Sequence, residues 1–153
     1  MDMCKVKALA GRIGLIVVAA MLAAGCSKQP VDGDIEGFWR LERFVTHADG
    51  EVHQCERIFY GITRYVVEVA ERQGPGGYGA FVGRFEYVGG SSRVAMKDFR
   101  HRASTSDSGR QATPEELGPF GLGATSTEFR VVVADGNRLV LESDYARLEL
   151  VAF

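Results

Sequence analysis

The chain has 153 residues, of which 46% are hydrophobic and 25% are charged, and its formal net charge is −2 at pH 7. Because no excess of Lys and Arg and no basic stripe is present, nucleic-acid binding has no support. Nineteen glycines and only four prolines stand between many short apolar runs, a composition that favours an all-β domain with tight turns.

The first 25 residues have the pattern of a secretory signal peptide. Lys5, Lys7 and Arg12 form a basic head, and an apolar run follows over residues 13–24. A run of about a dozen apolar residues is too short for a stable transmembrane helix, which needs ~20. It does match the apolar core of a signal peptide. We therefore predict that residues 1–25 are removed.

Cys26 is a candidate for lipid attachment. Residues 22–26 are Leu-Ala-Ala-Gly-Cys, which resembles the bacterial lipobox. The resemblance implies cleavage before Cys26 and a diacylglyceryl group on its sulfur; an ordinary signal peptide and a short membrane anchor are the alternatives. Ser27 instead of aspartate favours the outer membrane, and the lack of an acidic run after it favours the periplasmic face. Residues 26–35 are then the lipidated cysteine and a flexible tether.

The mature chain has a single unmodified cysteine. It would contain 128 residues, with 15 basic and 19 acidic side chains and a net charge of −4. That length makes one domain and buries roughly two-thirds of the surface of the unfolded chain. Cys4 leaves with the signal peptide and Cys26 carries lipid, so Cys55 has no intramolecular disulfide partner. The fold must therefore be held by its core.

The first predicted strand begins near residue 36 and contains the only tryptophan. Its apolar residues alternate with period two, so Trp39, Leu41 and Val45 are expected to share the inner face. Gly37 lies two residues before the tryptophan, where the lack of a side chain lets the chain pass close to a neighbour while the indole fills one end of a core. Gly37 and Trp39 are therefore assigned structural roles.

Seven further strands are predicted from alternating or short apolar runs between turn signals such as Asp49–Gly50. They cover residues 51–60, 62–71, 79–88, 92–99, 127–134, 138–143 and 146–153.

A polar segment and one short helix interrupt this series. Residues 100–112 have no strand or helix pattern, which is typical of a solvated loop or of a lid over a site. Thr113 and Glu116 have the spacing of a capping box, and Pro114 suits the first helical position. The helix should end at Gly118.

Eight sequential strands with short connections favour a closed barrel over residues 36–153. Short connections make neighbouring strands antiparallel. Eight such strands close into an up-and-down barrel of the lipocalin or calycin type, with one short helix before the last three strands. A two-sheet sandwich is the alternative, although it usually needs longer crossovers.

Several motifs in this order resemble small bacterial lipocalin-like lipoproteins of the Bacteroides type. They are the lipobox, Gly37-x-Trp39 at the first strand, residues 57–60, residues 113–121 and the ending over residues 129–148. The resemblance implies that an arginine of the last strand covers Trp39. Arg147 is the candidate for this structural role, through a cation–π contact worth ~1 kcal/mol, and Arg138 is the alternative.

The resemblance also implies a cavity that binds a small hydrophobic molecule. The opposite possibility is that the same bulky side chains fill the barrel. The candidate lining residues are Trp39, Leu41, Tyr60, Tyr65, Val67, Phe81, Phe85, Tyr87, Val94, Met96, Phe129 and Val131.

No pattern indicates catalysis, a metal or a cofactor. The serines have no nucleophile motif around them. His53 and Cys55 share a strand face, but two ligands do not make a zinc or copper site, and a surface histidine beside a buried cysteine explains them equally well. Asp98 and His101 are three residues apart and could pair, but such pairs are commonly structural. We therefore expect a protein that is not an enzyme.

The leading hypothesis is a membrane-anchored binding protein with an apolar barrel interior. The alternative is a filled barrel that acts as a structural or interaction module of an envelope protein complex. That module would present an exposed apolar patch, which we expect near Phe120 and Leu122. An enzyme would need a polar cluster in the cavity that the sequence does not indicate.

Replacing the tryptophan tests the predicted architecture under both hypotheses. Trp39→Ala should lower the free energy of unfolding by several kcal/mol, because it removes the largest side chain of the core and leaves a cavity. The measurement is thermal unfolding followed by circular dichroism. An unchanged melting temperature would argue against the whole barrel.

Overall fold

The computed structural model describes residues 32–105 and 107–153; the predicted signal peptide and Cys26 lie outside the described residues. In the described part, no helix has the length and apolar character needed to cross a membrane. Its elements are β1 (Gly37–Thr46), β2 (Val52–Ile62), β3 (Val66–Glu71), β4 (Ala80–Val88), β5 (Arg93–Arg102), β6 (Asp107–Gln111), α1 (Pro114–Leu117), a 3₁₀ turn (Gly118–Phe120), β7 (Ser126–Ala134), β8 (Arg138–Glu142) and β9 (Ala146–Ala152).

Eight of the strands close into an antiparallel barrel. Each of β1 to β5 pairs with the next, β5 pairs with β7, and β7, β8 and β9 follow in order. The ring closes where β9 pairs with β1. The short strand β6 lies outside the ring and pairs with the last residues of β5. The predicted eight-stranded up-and-down barrel with one short helix is confirmed.

The β1 backbone contains a bulge that changes which side chains face inwards. Its pairing with both neighbours shifts between Leu41 and Arg43. A bulge of this kind moves the following side chains by one position. Trp39 and Leu41 are buried, but the next buried residue is Phe44, and Val45 is only half-buried. The predicted inward position of Val45 is therefore wrong.

Two predicted boundaries are also wrong. Residues 100–102 and 107–111 of the predicted loop are strand instead, because β5 continues to Arg102 and β6 pairs back along it. All five residues of β6 are exposed, so backbone pairing forms this strand and hydrophobic alternation cannot reveal it. The third strand begins at Val66 instead of residue 62, because Ile62 is the last residue of β2.

Gly83 of β4 allows a buried ring to cross the strand. The pairing of β4 with β5 shifts beside it, and the ring of Phe99 lies against the Gly83 backbone. A Cβ at this position would lie 2.8 Å from the Phe99 ring and 2.9 Å from the Lys97 carbonyl oxygen. The carbonyl belongs to the backbone of a paired strand and cannot move away cheaply.

Gly83→Ala should therefore destabilise the barrel, by about 1–3 kcal/mol, because the added methyl group overpacks the wall. The measurement is the urea midpoint at constant m-value. Gly33→Ala is the matched control: Gly33 has no positive φ and no neighbouring atom within 4 Å of an added Cβ. Equal midpoints for the two variants would contradict this account of Gly83.

Candidate functional site

Most of the predicted cavity residues lie in the barrel core. Tyr87 is half-buried and packs against this core, as does Val131, and Val94 is buried. Tyr65 was predicted wrongly: it lies in the turn between β2 and β3 and is 56% exposed. The remaining predicted lining residues are all buried, with at most 2% of their surface exposed: Trp39, Leu41, Tyr60, Val67, Phe81, Phe85, Met96 and Phe129.

These side chains fill the barrel. A chamber large enough for one water molecule would give its lining residues accessible surface, and the eight buried residues have almost none. Aromatic rings meet edge to face inside the barrel, with centroid separations of 5.1 Å for Phe85–Tyr87 and 5.6 Å for Phe81–Phe120. The interior around these residues is packed and contains no preformed ligand chamber.

One end of the barrel is closed by the turn over residues 32–36, which we call the plug. Ile35 is completely buried, and its carbonyl oxygen accepts a hydrogen bond from Trp39 Nε1 at 2.9 Å. The Tyr87 hydroxyl accepts from the Asp32 amide at 3.0 Å and donates to the Glu36 carboxylate at 2.9 Å. Burial is the main cause that raises the pKa of Tyr87, so its hydroxyl stays protonated and able to donate.

The predicted contact between an arginine and Trp39 is wrong. In the pairing of β1 with β9, Arg147 lies opposite Val45 and Trp39 lies opposite Ala152. Arg147 instead binds Glu142 at 3.3 Å. Neither Arg147 nor Arg138 is among the cation–π contacts of the described residues, which involve Tyr65 and Phe59. The plug, rather than an arginine, covers the indole.

The other end is closed by residues 113–122, which we call the lid. Leu117, Phe120 and Leu122 are completely buried, so the predicted exposed patch near Phe120 and Leu122 is wrong. The Tyr60 hydroxyl donates to the Phe120 carbonyl oxygen. An added Cβ at Gly121 would touch Phe44 and Leu148, at the ends of β1 and β9 away from the plug. The lid therefore packs into the mouth of the barrel.

A polar cluster fastens the lid to β5 and β6. The predicted capping box is confirmed, with Thr113 N donating to Glu116 at 3.0 Å and Glu116 N donating to the Thr113 hydroxyl at 3.3 Å. The same carboxylate lies 2.9 Å from His101 Nε2 and 3.4 Å from Arg110. We call Glu116, His101 and Arg110 the latch. Asp98, a possible partner of His101 by sequence, contacts Arg84.

The latch geometry assigns the histidine tautomer. The Arg110 guanidinium lies 2.9 Å from His101 Nδ1, and a guanidinium only donates. Nδ1 must therefore accept, and Nε2 carries the hydrogen that it donates to Glu116. The pKa of Glu116 is lowered, first by the Thr113 amide and then by His101 and Arg110.

A cleft of about 440 Å³ opens beside the lid, and we call it the mouth cleft. It is lined on one side by the β2 residues at the bulge, where three residues of β2 lie opposite one residue of β1, and on the other side by the end of β3 and the β3–β4 loop. The Glu71 carboxylate holds that loop through the Gly76 and Tyr78 amides, both at 2.8 Å. The wall is mainly apolar, and its residues are Gln54, Cys55, Glu56, Arg57, Ile58, Glu71, Pro75, Gly76 and Tyr78.

Tyr78 and Cys55 connect the mouth cleft to the core. Tyr78 is 44% exposed, and its ring meets the buried ring of Phe120 edge to face at 6.3 Å. Cys55 packs against the core, and burial raises the pKa of its thiol to about 11. The thiol is therefore protonated at neutral pH and is a poor nucleophile. His53 stacks on Phe44 at 4.4 Å.

A second cleft of about 690 Å³ has a charged wall and lies near the β8–β9 turn. Its charges pair with each other: Arg93 with Glu128, and Arg130 with Glu142 at 2.9 Å. An apolar molecule would desolvate these pairs, so the mouth cleft suits an apolar ligand better. Across residues 32–105 and 107–153, no three His, Cys, Asp or Glu side chains are grouped as metal ligands.

Sequence reasoning missed the plug and the mouth cleft. Ile35 was assigned to the tether, although an isolated isoleucine two residues before Gly37 was a usable signal. Ile58, Pro75 and Tyr78 were not grouped, because a strand residue and a distant loop meet only through the fold.

Residues 20–153 match the model of the lipocalin-like domain family. The chain belongs to this family. It is also similar to a lipocalin-like protein from Bacteroides uniformis, with 19% identity, a TM-score of 0.56, and coverage of 78% of this chain and 99% of that one. An uncharacterized protein from Bacteroides eggerthii gives 21% identity, a TM-score of 0.56, and coverage of 77% and 98%. No curated protein matches this lipocalin-like chain.

The latch should make the stability of this lipocalin-like barrel depend on pH. Because the folded pKa of Glu116 lies below its ordinary value of 4.5, its ionised form stabilises the fold above that pH, and this contribution disappears as the pH falls through the folded pKa. Glu116→Gln keeps a capping side chain but removes the charge. The variant should be less stable than the parent at neutral pH and nearly equal to it in acid.

The measurement is the urea midpoint of both proteins between about pH 3 and 7. Glu56→Gln, at an exposed position of β2, is the control and should leave the midpoint unchanged across that range. A constant difference between parent and Glu116→Gln at every pH would show that the charge has no role.

Proposed function

We propose that this lipocalin-like protein is a non-catalytic, lipid-anchored binding protein that takes a small apolar molecule at the mouth cleft. The observation that carries the proposal is the position of this cleft. It has a mainly apolar wall and lies beside the lid, where Tyr78 contacts the buried ring of Phe120. Pockets for small ligands combine such apolar walls with a few polar groups.

The contacts of Tyr78 support a binding role for the mouth cleft. Its ring stands between bulk water and the aromatic pair Phe81–Phe120. An apolar ligand that takes the place of water beside Tyr78 would cover the exposed part of the ring and extend the aromatic cluster outwards. The Glu71 carboxylate already accepts two amide hydrogen bonds from the loop, so the loop needs no ordering when a ligand binds.

Two observations support the absence of catalysis at this cleft. The Cys55 thiol has a raised pKa of about 11, so little thiolate exists at neutral pH. The carboxylates of the wall include Glu71, whose two oxygens are occupied by backbone amides. A lipocalin-like barrel is compatible with a hydrophobic small-molecule ligand, and no cofactor enters the proposal.

The proposed location follows from the lipobox. Cleavage before Cys26 and acylation of its sulfur would hold the barrel at the cell envelope, with the outer membrane and its periplasmic face as the proposed place. The membrane is then a partner through the lipid on Cys26.

A second candidate function has its own support. Eight side chains of the interior have at most 2% of their surface exposed, and both ends of the barrel are closed. A filled barrel suits a structural or interaction module of an envelope complex, which needs a rigid body instead of a ligand chamber.

Probe binding distinguishes these two functions. Residues 27–153 would be titrated with N-phenyl-1-naphthylamine, a neutral aromatic probe, and the complex would be weighed by native mass spectrometry. Tyr78→Ser should weaken binding about tenfold, because an aromatic contact is worth roughly 1 kcal/mol and more area is lost. Tyr145→Ser is the matched control, since Tyr145 is an exposed tyrosine at the same end of the barrel but outside the mouth cleft.

Binding that is weakened only by Tyr78→Ser supports the carrier. No binding of the probe, together with a clean apo mass for protein taken from cells, would favour the filled module. Equal loss in both tyrosine variants would contradict a site at the mouth cleft.

A further inference from the structure

The exposed apolar side chains of the described residues gather at the two ends of the barrel. Val52, Tyr78 and Tyr145 lie at the lid end. The other four lie at the plug end, on the outer surface: Phe38 (63% exposed), Tyr65 (56%), Val66 (44%) and Phe153 (76%). Large exposed apolar patches mark surfaces that bind a protein or a membrane.

Two of these side chains, Phe38 and Phe153, form a continuous surface with the half-buried Phe59 of β2. Phe38 lies over Gly61, where an added Cβ would be 3.4 Å from its ring. Phe153 donates its amide to the Phe38 carbonyl, and its ring meets Phe59 edge to face at 4.8 Å. We call Phe38, Phe59, Tyr65, Val66 and Phe153 the aromatic patch.

Charges around the aromatic patch have both signs. The Arg64 and Arg72 guanidinium groups lie over the rings of Tyr65 and Phe59, at 5.4 and 5.6 Å. Asp34 and Glu36 of the plug lie at the same end of the barrel. A surface with mixed charge has no strong electrostatic preference for an anionic partner. Its apolar rings are therefore what a partner would recognise.

The chain leaves the described part of the structure at this same end. Asp32 is the first described residue and belongs to the plug, beside the start of β1. Cys26 precedes it by six residues, which span at most ~21 Å when fully extended. A lipid on Cys26 would therefore keep the aromatic patch close to the membrane surface and the lid end far from it.

We propose that the aromatic patch contacts the lipid surface and orients the barrel with its mouth cleft towards the aqueous side. Aromatic side chains with an apolar body favour the membrane interface, as Tyr and Trp belts do. Two or more acyl chains already hold a protein on a bilayer, so the patch sets orientation and is not needed for attachment. The inference rests on the lipid anchor of the proposed function.

Trp39 supplies a natural reporter, since it is the only tryptophan and lies beside Phe38. The processed full chain would be reconstituted in phosphatidylethanolamine and phosphatidylglycerol vesicles that contain a phosphatidylcholine with a nitroxide on its headgroup. Contact of the patch should quench Trp39 fluorescence by about twofold, and raised salt should not reverse the quenching. A tryptophan at the other end, Tyr145→Trp in a Trp39→Phe background, should remain unquenched.

Serine variants test the patch itself. Phe38→Ser with Tyr65→Ser should abolish most of the quenching while the protein stays with the vesicles on flotation. Tyr78→Ser with Tyr145→Ser removes the same number of exposed rings from the lid end and should leave the quenching intact. Circular dichroism verifies that both pairs fold.

Three results overturn the inference: equal quenching at the two ends, quenching that survives the Phe38/Tyr65 pair, or no quenching in pure lipid. The last result would turn the search to a protein partner for the patch. The mass of the processed chain tests the anchor separately. If the diacylglyceryl mass is absent, the predicted anchor is wrong. The quenching experiment is then repeated on a Cys55→Ala chain whose Cys26 thiol has been coupled to a maleimide lipid.

Discussion

Three aromatic side chains each place a polar group at an end of the barrel, where it needs a hydrogen-bond partner. The hydrogen bonds of these groups hold the two segments that seal the barrel ends. The Trp39 indole and the Tyr87 hydroxyl bind the plug, and the Tyr60 hydroxyl binds the Phe120 carbonyl of the lid. A buried donor without a partner costs about 1–3 kcal/mol. The rings fill the interior, and their tips hold the segments that seal it.

Because the interior is sealed, a binding function has to be sought at the two ends of the barrel. At the lid end, the extra residues of β2 at the bulge and the β3–β4 loop line the mouth cleft, while the latch holds the lid across the core. At the plug end, the Phe38 ring lies over Gly61 on the outside of the wall. One end presents a recess with an apolar wall and the other an exposed aromatic surface, so the barrel has two chemically different poles.

The two ends fit one orientation of the molecule at a membrane. The path from Cys26 enters at the plug, so a lipid anchor and the aromatic patch would act on the same side. The mouth cleft would then face away from the membrane, where a ligand or a partner approaches from water. The alternative of a filled module uses the same geometry, because a rigid barrel held upright would also present its lid end to other envelope proteins.

Much of the fold was accessible from local patterns. The alternation around Trp39 and Leu41, the turn residues and the capping box of Thr113 with Glu116 are properties of short segments, and they led to eight ring strands and the short helix. The positions of Val45, Tyr65 and Arg147 were not accessible in this way. A bulge, a turn that begins after Ile62 and the register between β1 and β9 each depend on pairing with a distant strand.

The number of ring strands and most of the buried side chains could be predicted from the chain alone, because period-two alternation and turn chemistry are properties of neighbouring residues, and the order of the motifs indicated the family. The sequence also supplied the lipobox prediction for Cys26. Three features emerge only from the assembled fold: the barrel is filled, Ile35 covers Trp39, and Phe38, Phe59 and Phe153 meet on one surface. The packing of the interior side chains and the register of the strands are decided only when the ring closes, since each strand then has two neighbours that constrain it.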